Sequence, residues 1–143
     1  ARRDYALVTR LGTLPTDLIQ LKGRRVGASG GALALARDGF RRRSEAIIVD
    51  YAFFPDVMNA LQRDAVEAVL VSPGMFERYV RDRREDRFGQ AFLVGSMPTA
   101  PAVRHDDDAG FLSSLNTALA LLLGRGEIQH LVARHRCDAG LPC

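Results

Sequence analysis

The 143-residue sequence contains no tryptophan and a single lysine, Lys22; the other nineteen of its twenty basic residues are arginines. It has only two cysteines, Cys137 and Cys143, both at the C-terminal end. No apolar run approaches the roughly 20 residues that a membrane-spanning helix requires; the longest, Leu119 to Leu123, falls far short. No phosphate-binding loop, Ser/His/Asp set or paired-carboxylate site stands out. His105, His130 and His135 are scattered, and the last two stand five apart on a helix, a poor spacing for shared metal ligation. Catalysis is therefore not expected, and neither is a metal or cofactor.

Apolar residues at 47% and charged residues at 26% match an ordinary globular domain and argue against disorder. The length suits one domain. Arginine keeps its charge at any accessible pH, yet seventeen acids spread among the arginines leave a net charge of only +3. Nucleic-acid binding needs a basic face interleaved with stacking aromatics. Arg41-Arg42-Arg43 and Arg81-Asp82-Arg83-Arg84 read instead as solvated helix ends, so no nucleic-acid partner is expected.

Along the chain, strand and helix signals alternate. Tyr5 to Thr9 reads as a strand, and Arg25 to Ala28 as another after a turn at Lys22-Gly23. Gly31 to Arg43 has Leu33, Ala36 and Phe40 at helical spacing. Ala46 to Asp50 and Ala68 to Val71 are continuous apolar runs of the kind covered on both faces. Helices are expected over Phe54 to Arg63 and from Pro73 to about Arg83, and strands over Ala91 to Gly95 and Ala102 to Arg104. Two helices, Ala109 to Leu123 and Glu127 to Arg136, close the chain. The alternation from 24 to 95 predicts a parallel α/β sheet with helices on both faces. Between Cys137 and Cys143 the segment Asp-Ala-Gly-Leu-Pro is turn-rich. A disulfide is the first expectation there, with free thiols or a metal as alternatives. A bridge implies an oxidising compartment, and without a signal-peptide pattern an exported chain would be a mature or excised one.

Several of these segments fall in a familiar order. Leu21-Lys22-Gly23-Arg24-Arg25-Val26-Gly27, Gly30-Gly31 at a strand-to-helix junction, Val49-Asp50-Tyr51, and Ala65-Val66-Glu67-Ala68-Val69 come first. Pro101-Ala102-Val103-Arg104-His105-Asp106 follows, then Leu115-Asn116-Thr117-Ala118-Leu119 and Gly124-Arg125-Gly126-Glu127-Ile128. Together, over residues 5 to 136, they resemble the second lobe of type II periplasmic solute-binding proteins, the amino-acid-binding-like family that serves ABC transporters. The stretch Val71-Ser72-Pro73-Gly74-Met75-Phe76 resembles, more faintly, a branch found beside quinoprotein alcohol dehydrogenases; it lacks that branch's Trp and second Gly.

The resemblance implies an α/β lobe that is half of a two-lobed protein. It divides the chain into a hinge strand (1–10), the lobe proper (11–97), and a return hinge strand with C-terminal helices and a Cys-bounded tail (98–143). It implies capture of a small polar or anionic solute, such as a carboxylate, by hinge closure in the periplasm for a membrane transporter. Alternatives of the same fold are an accessory protein of a periplasmic quinoprotein dehydrogenase and a hydro-lyase.

Two strand ends are the site candidates. Ser29, Gly30, Gly31 and Ala32 form a glycine-rich turn into a helix, where backbone N–H groups at the positive end of the dipole suit an anion; a tight turn without a ligand is the competing reading. Ser72 follows a buried strand at the edge where open parallel sheets bind ligands; a helix N-cap is its competing reading. Arg10, at the expected hinge, is a third candidate, with a plain surface role as the alternative. Tyr51, Phe53 and Phe54 could line a pocket but are more readily core. The sequence departs from the family pattern in three respects. Ala32 and Leu33 stand where hydroxyl donors are usual, Ser72 stands where the amino-acid-binding branch has Asp, and the first-lobe segment with a carboxylate-binding Arg has no counterpart. The leucine stripe Leu112, Leu115, Leu119 and Leu122, continued by Ile128, Leu131 and Val132, implies a covered surface. Self-association, or pairing with a chain that supplies the first lobe, is expected.

Overall fold

A computed structural model describes residues 2–98, Ala100 and 109–138, with the side chains of Ala109 and of 136–138 excepted. The chain divides into two units, 1–100 and 101–143. The short strand expected over Ala102 to Arg104 and the Cys137–Cys143 pairing lie outside the described residues.

The first unit is built on β1 (Arg2–Arg10), β2 (Arg25–Ser29), β3 (Ile47–Tyr51), β4 (Ala68–Val71) and β5 (Phe88–Pro98). After β2 come α1 (Gly30–Leu35), a π-helical turn (Ala36–Phe40) and α2 (Arg41–Ser44), which follow one another without a break. α3 (Phe54–Gln62) precedes β4, and α4 (Pro73–Arg83) follows it. Each of these two helices has a proline in its first turn, where the missing N–H has no intrahelical partner to lose.

The sheet order is β3-β2-β4-β1-β5. β2 runs parallel to β3 and β4, while β1 runs antiparallel to both β4 and β5. The sheet is therefore mixed: β2 to β5 run in one direction, as the alternation predicts, and β1 alone runs against them. Strand–helix alternation sets the direction of β2 to β5, but β1 precedes the alternation and inserts between β4 and β5. The connection through α4 passes over it. In β1, the segment expected as a hinge strand, Tyr5 to Val8 are buried in the sheet. Only its first residues, Arg2 to Asp4, pair with the end of β5 beyond the reach of β4.

Both faces of the sheet are covered, which explains why β4 reads as an unbroken apolar run. Ala68 and Leu70 face a core with Tyr5, Leu7, Val26, Ala36 and Phe40 under α1. Val69 and Val71 face a second core with Val8, Val57, Leu61, Phe76 and Tyr79 under α3 and α4. Phe40 is fully buried and comes from the π-helical turn. Ala36 and Phe40, four residues apart within this turn, both reach the core. The helix stops because Ser44 Oγ donates to the Phe40 carbonyl at 2.9 Å and accepts from Ala46 N–H at 3.2 Å. Glu45 then turns the chain in the left-handed region at φ 52°.

α3 and α4 are tied through Tyr79 of α4, which meets both the first and the last residue of α3. The Phe54 and Tyr79 rings meet edge to face at 5.9 Å, and Gln62 Nε2 donates to the Tyr79 hydroxyl at 2.8 Å. Arg83 stacks on Tyr79 at 4.9 Å.

The second unit contains α5 (Ala109–Gly124) and α6 (Glu127–Asp138). Gly126 makes the turn between them at φ 72°, where a Cβ would be unfavourable. Of the expected leucine stripe, Leu115, Leu119 and Ile128 are half-buried, whereas Leu112, Leu122, Leu131 and Val132 are exposed. Leu121 and Leu123 are exposed too, so α5 is apolar around most of its circumference, the pattern of a helix meant to be enclosed. Among the described residues, no helix is long and apolar enough to cross a membrane, and no cluster could hold a metal.

Candidate ligand site at one edge of the sheet

The parallel strands β2, β3 and β4 all end at one edge, where α1, α3 and α4 begin. Register fixes the neighbours along it. Ser29 pairs with Tyr51 across β2 and β3, and Ala28 pairs with Leu70 across β2 and β4, so Ser72 lies one step beyond Ser29 on the adjacent strand. Ala6 pairs with Val71, which brings Tyr5 level with Ser72. Ser29, Gly30, Gly31, Ala32 and Ser72 are thus brought together as expected from the strand ends.

Gly30 adopts φ +53° at the junction, a conformation that costs little only without a Cβ. Ser29 and Ser72 occupy the N-cap positions of α1 and α4, yet neither side chain makes a capping hydrogen bond. The N-cap reading of Ser72 is right about position but not about bonding: its hydroxyl does not cap α4. Ala32 is buried in the core under the helix, so its contribution to the edge is backbone only.

Gly31 has a tighter constraint. A Cβ there would overlap the Tyr5 hydroxyl and come within 3.3 Å of Tyr5 Cζ. The Tyr5 phenol therefore lies against the Gly31 backbone and adds a third hydroxyl to the edge. Reading strand C-termini missed Tyr5, because it sits near the beginning of β1. It belongs here only because β1 runs against its neighbours. Of the three aromatics considered earlier, Tyr51 and Phe54 join the core. The Tyr51 ring covers Gly27, where an added Cβ would meet Tyr51 Cε2 at 3.1 Å. Phe53 is instead 69% exposed at the N-cap of α3. Met75, in the first turn of α4, is exposed as well. Just behind this edge, Asp50 is ion-paired with Arg37.

Arg10 is not part of this group. It ends β1 and, since β1 is antiparallel, it lies at the opposite edge, paired with Phe88 at the start of β5. There it bridges to Asp64 and donates to the Leu61 carbonyl at 3.0 Å. Its guanidinium is thus bound within the structure, away from Ser29 and Ser72. The other strongly organised ion pair joins Arg87 and Glu85. The side-chain hydrogen bond from Arg87, countered by burial, holds the Glu85 carboxyl down at about 2. It also lies at the edge opposite Ser29 and Ser72, after α4.

The candidate edge therefore offers hydroxyls from Ser29, Ser72 and Tyr5, the backbone at two helix starts, and exposed apolar surface from Phe53 and Met75. Among the described residues, the ends of β2, β3 and β4 offer no unpaired charged anchor, since Asp50 is taken by Arg37. That set suits a small polar or anionic group held by neutral donors, with an apolar part against Phe53 or Met75.

No protein-family model matches the chain, and a search of curated proteins finds no match. Solved structures do resemble it. One is a histidine kinase sensor domain with similarity to periplasmic binding proteins, at TM-score 0.69 and 21% identity, covering 93% of this chain and 58% of that one. Another is an ancestral arginine-binding protein bound to arginine, at TM-score 0.66 and 19% identity, covering 94% of this chain and 60% of that one. A third is GlnP substrate-binding domain 2 of Lactococcus lactis in its open conformation, at TM-score 0.56 and 13% identity, covering 92% and 57%. The chain thus spans less than two thirds of the length of these proteins. The likeness is one of fold: a mixed five-stranded α/β lobe matching half of a two-lobed periplasmic binding protein.

Proposed function

We propose that this chain captures a small polar or anionic solute at the Ser29–Ser72 edge, in a cleft completed by a second lobe, in the periplasm and for an ABC transporter. The observation that carries the reading is the convergence of two helix starts whose N-cap serines leave their side chains out of the caps. Helix N-termini favour negative charge, and a hydroxyl that is not capping its helix is available as a donor. Ser72 cannot neutralise an ammonium group, so the reading favours a carboxylate or neutral polar solute over an ordinary amino acid. The apolar faces of α5 and α6 fit the same scheme, because a first lobe or another copy would cover them. A sensor-type role is the second reading, supported by the likeness to the histidine kinase sensor domain; it shares the capture step and differs in what the bound lobe contacts.

Titration calorimetry of the complete chain against amino acids and small mono- and dicarboxylates tests the proposal. A carboxylate should bind, and Ser72→Ala should weaken it by about 3- to 10-fold, the usual worth of one hydrogen bond. Unfolding stability should change little, because no cap is lost. Binding that is unaffected by Ser72→Ala and by Gly30→Ala would place the site elsewhere.

A further inference from the structure

The edge opposite Ser29 and Ser72 has a different chemistry. The connections that enter the strands there, together with the one leaving β1, are residues 10–25, 41–47, 63–67 and 81–87. They contain twelve of the chain's twenty basic residues and seven of its seventeen acids. Ion pairs Arg10–Asp64, Lys22–Glu45, Arg25–Glu67, Arg81–Asp82 and Arg87–Glu85 use most of the acids. Among the described residues, arginines such as Arg24, Arg42, Arg63 and Arg84 remain without a carboxylate partner there, and all four are exposed.

Large apolar side chains are exposed at the same edge. Leu11, Leu14 and Ile19 lie in the connection from β1 to β2, and Ile47 begins β3; Ile19 is 72% exposed. An open groove of about 550 Å³ lies beside that connection, lined by Leu14, Pro15 and Leu21 together with Arg10, Arg24 and the ion-paired Asp64 and Glu67.

Arginines at helix ends also complement the helix dipole, which accounts for Arg41 to Arg43 and Arg83 without any partner. It does not account for Arg24 at a strand entry, nor for apolar tips among the charges. Exposed apolar residues set in a basic face are the composition of an interfacial membrane contact. The excess is spread over four connections along a five-stranded sheet, a width of about 20 Å at the usual strand spacing. A lipid surface presents negative charge everywhere along such a width, whereas a protein partner would need its acids placed to match.

We propose that this edge docks on an anionic phospholipid surface, with the Leu11–Leu21 connection seated among the headgroups and the arginines of the four connections on the phosphates. Docking in this way turns the Ser29–Ser72 edge away from the bilayer. The proposal is independent of the solute reading.

Sedimentation of the complete chain with vesicles tests it, using phosphatidylglycerol mixed with phosphatidylethanolamine and, as the neutral control, phosphatidylcholine alone. The chain should partition onto the first and not the second, with binding that falls as salt rises. Arg24→Glu with Arg42→Glu should weaken partitioning by roughly 25-fold or more, since each arginine at such a surface is worth about a factor of five. Arg2→Glu with Arg3→Glu makes the same charge change at the far end of the sheet and should cost only a few-fold. Ile19→Ser, at an exposed site where the fold has little to lose, should cost about tenfold through lost apolar insertion. Circular dichroism checks that each variant is folded. Absence of binding to the anionic vesicles at 0.1 M salt overturns the proposal, taking ~0.1 M as a standard screening condition. Equal losses from the two double variants, or no loss from Ile19→Ser, overturn it too.

Discussion

Replacing Gly31 by alanine tests the geometry of the candidate site through stability alone. The new Cβ would overlap the Tyr5 hydroxyl and stand 3.3 Å from Tyr5 Cζ. The ring cannot easily withdraw, because Tyr5 is buried in the core with Leu7, Ala28 and Ala32. Overpacking of this kind costs about 1–3 kcal/mol. It is offset slightly by the lower chain entropy of alanine in the unfolded state, about 0.4–1 kcal/mol. Gly31→Ala should therefore lose about 1–2 kcal/mol in urea unfolding followed by circular dichroism. Tyr5→Phe alone should be close to neutral, since no hydrogen bond from that hydroxyl is made to the protein's described groups. In the double variant only the Cζ contact at 3.3 Å remains, which a shift of a few tenths of an ångström relieves. Most of the loss should return, giving a coupling energy of about 1 kcal/mol or more between the two sites. A neutral Gly31→Ala, or additive losses in the double variant, would refute the placement of the Tyr5 phenol over the β2–α1 junction.

Three further outcomes are expected. Phe40→Ala removes the largest fully buried side chain and should cost about 3–5 kcal/mol in the same assay; a loss below 1.5 kcal/mol, on the scale of a ~two-methyl deletion, would mean the π-helical turn does not set the core as described. Glu85 has its folded pKa lowered to about 2 from an ordinary 4.5 by the Arg87 hydrogen bond, so its contribution is present above pH 4.5 and fades as pH falls toward 2. Arg87 is 62% exposed, so solvent screens the pair and its contribution is small. Glu85→Gln should accordingly be slightly less stable at pH 7 and indistinguishable from the parent near pH 2, and a difference that grows on acidification would reverse the sign assigned here. Arg84 closes α4 in the left-handed region at φ 51°, which disfavours a side chain by about 1 kcal/mol. Arg84→Gly should thus leave thermal stability unchanged or raise it, while a clear drop would show that the arginine makes a compensating contact.

The sequence by itself determined the elements that depend on local pattern. The unbroken apolar run at Ala68–Val71 marks a strand covered on both faces, and Pro73 marks a helix start, because burial and backbone geometry act within a few residues. The glycine turn at Ser29–Gly31 was legible for the same reason: a φ of +53° at Gly30 is a local demand that only one residue type meets cheaply. The direction and position of β1 were not legible. Nothing in Tyr5 to Thr9 says that it inserts between β4 and β5 and runs against them; pairing partners distant in sequence decide that. The consequences are opposite for two residues of one strand. Tyr5, at its beginning, is carried to the candidate edge, and Arg10, at its end, to the other, where Asp64 takes its charge. A strand's two ends are equivalent in pattern and differ only in tertiary direction, so this part of the site was decided by the sheet and not by the residues themselves.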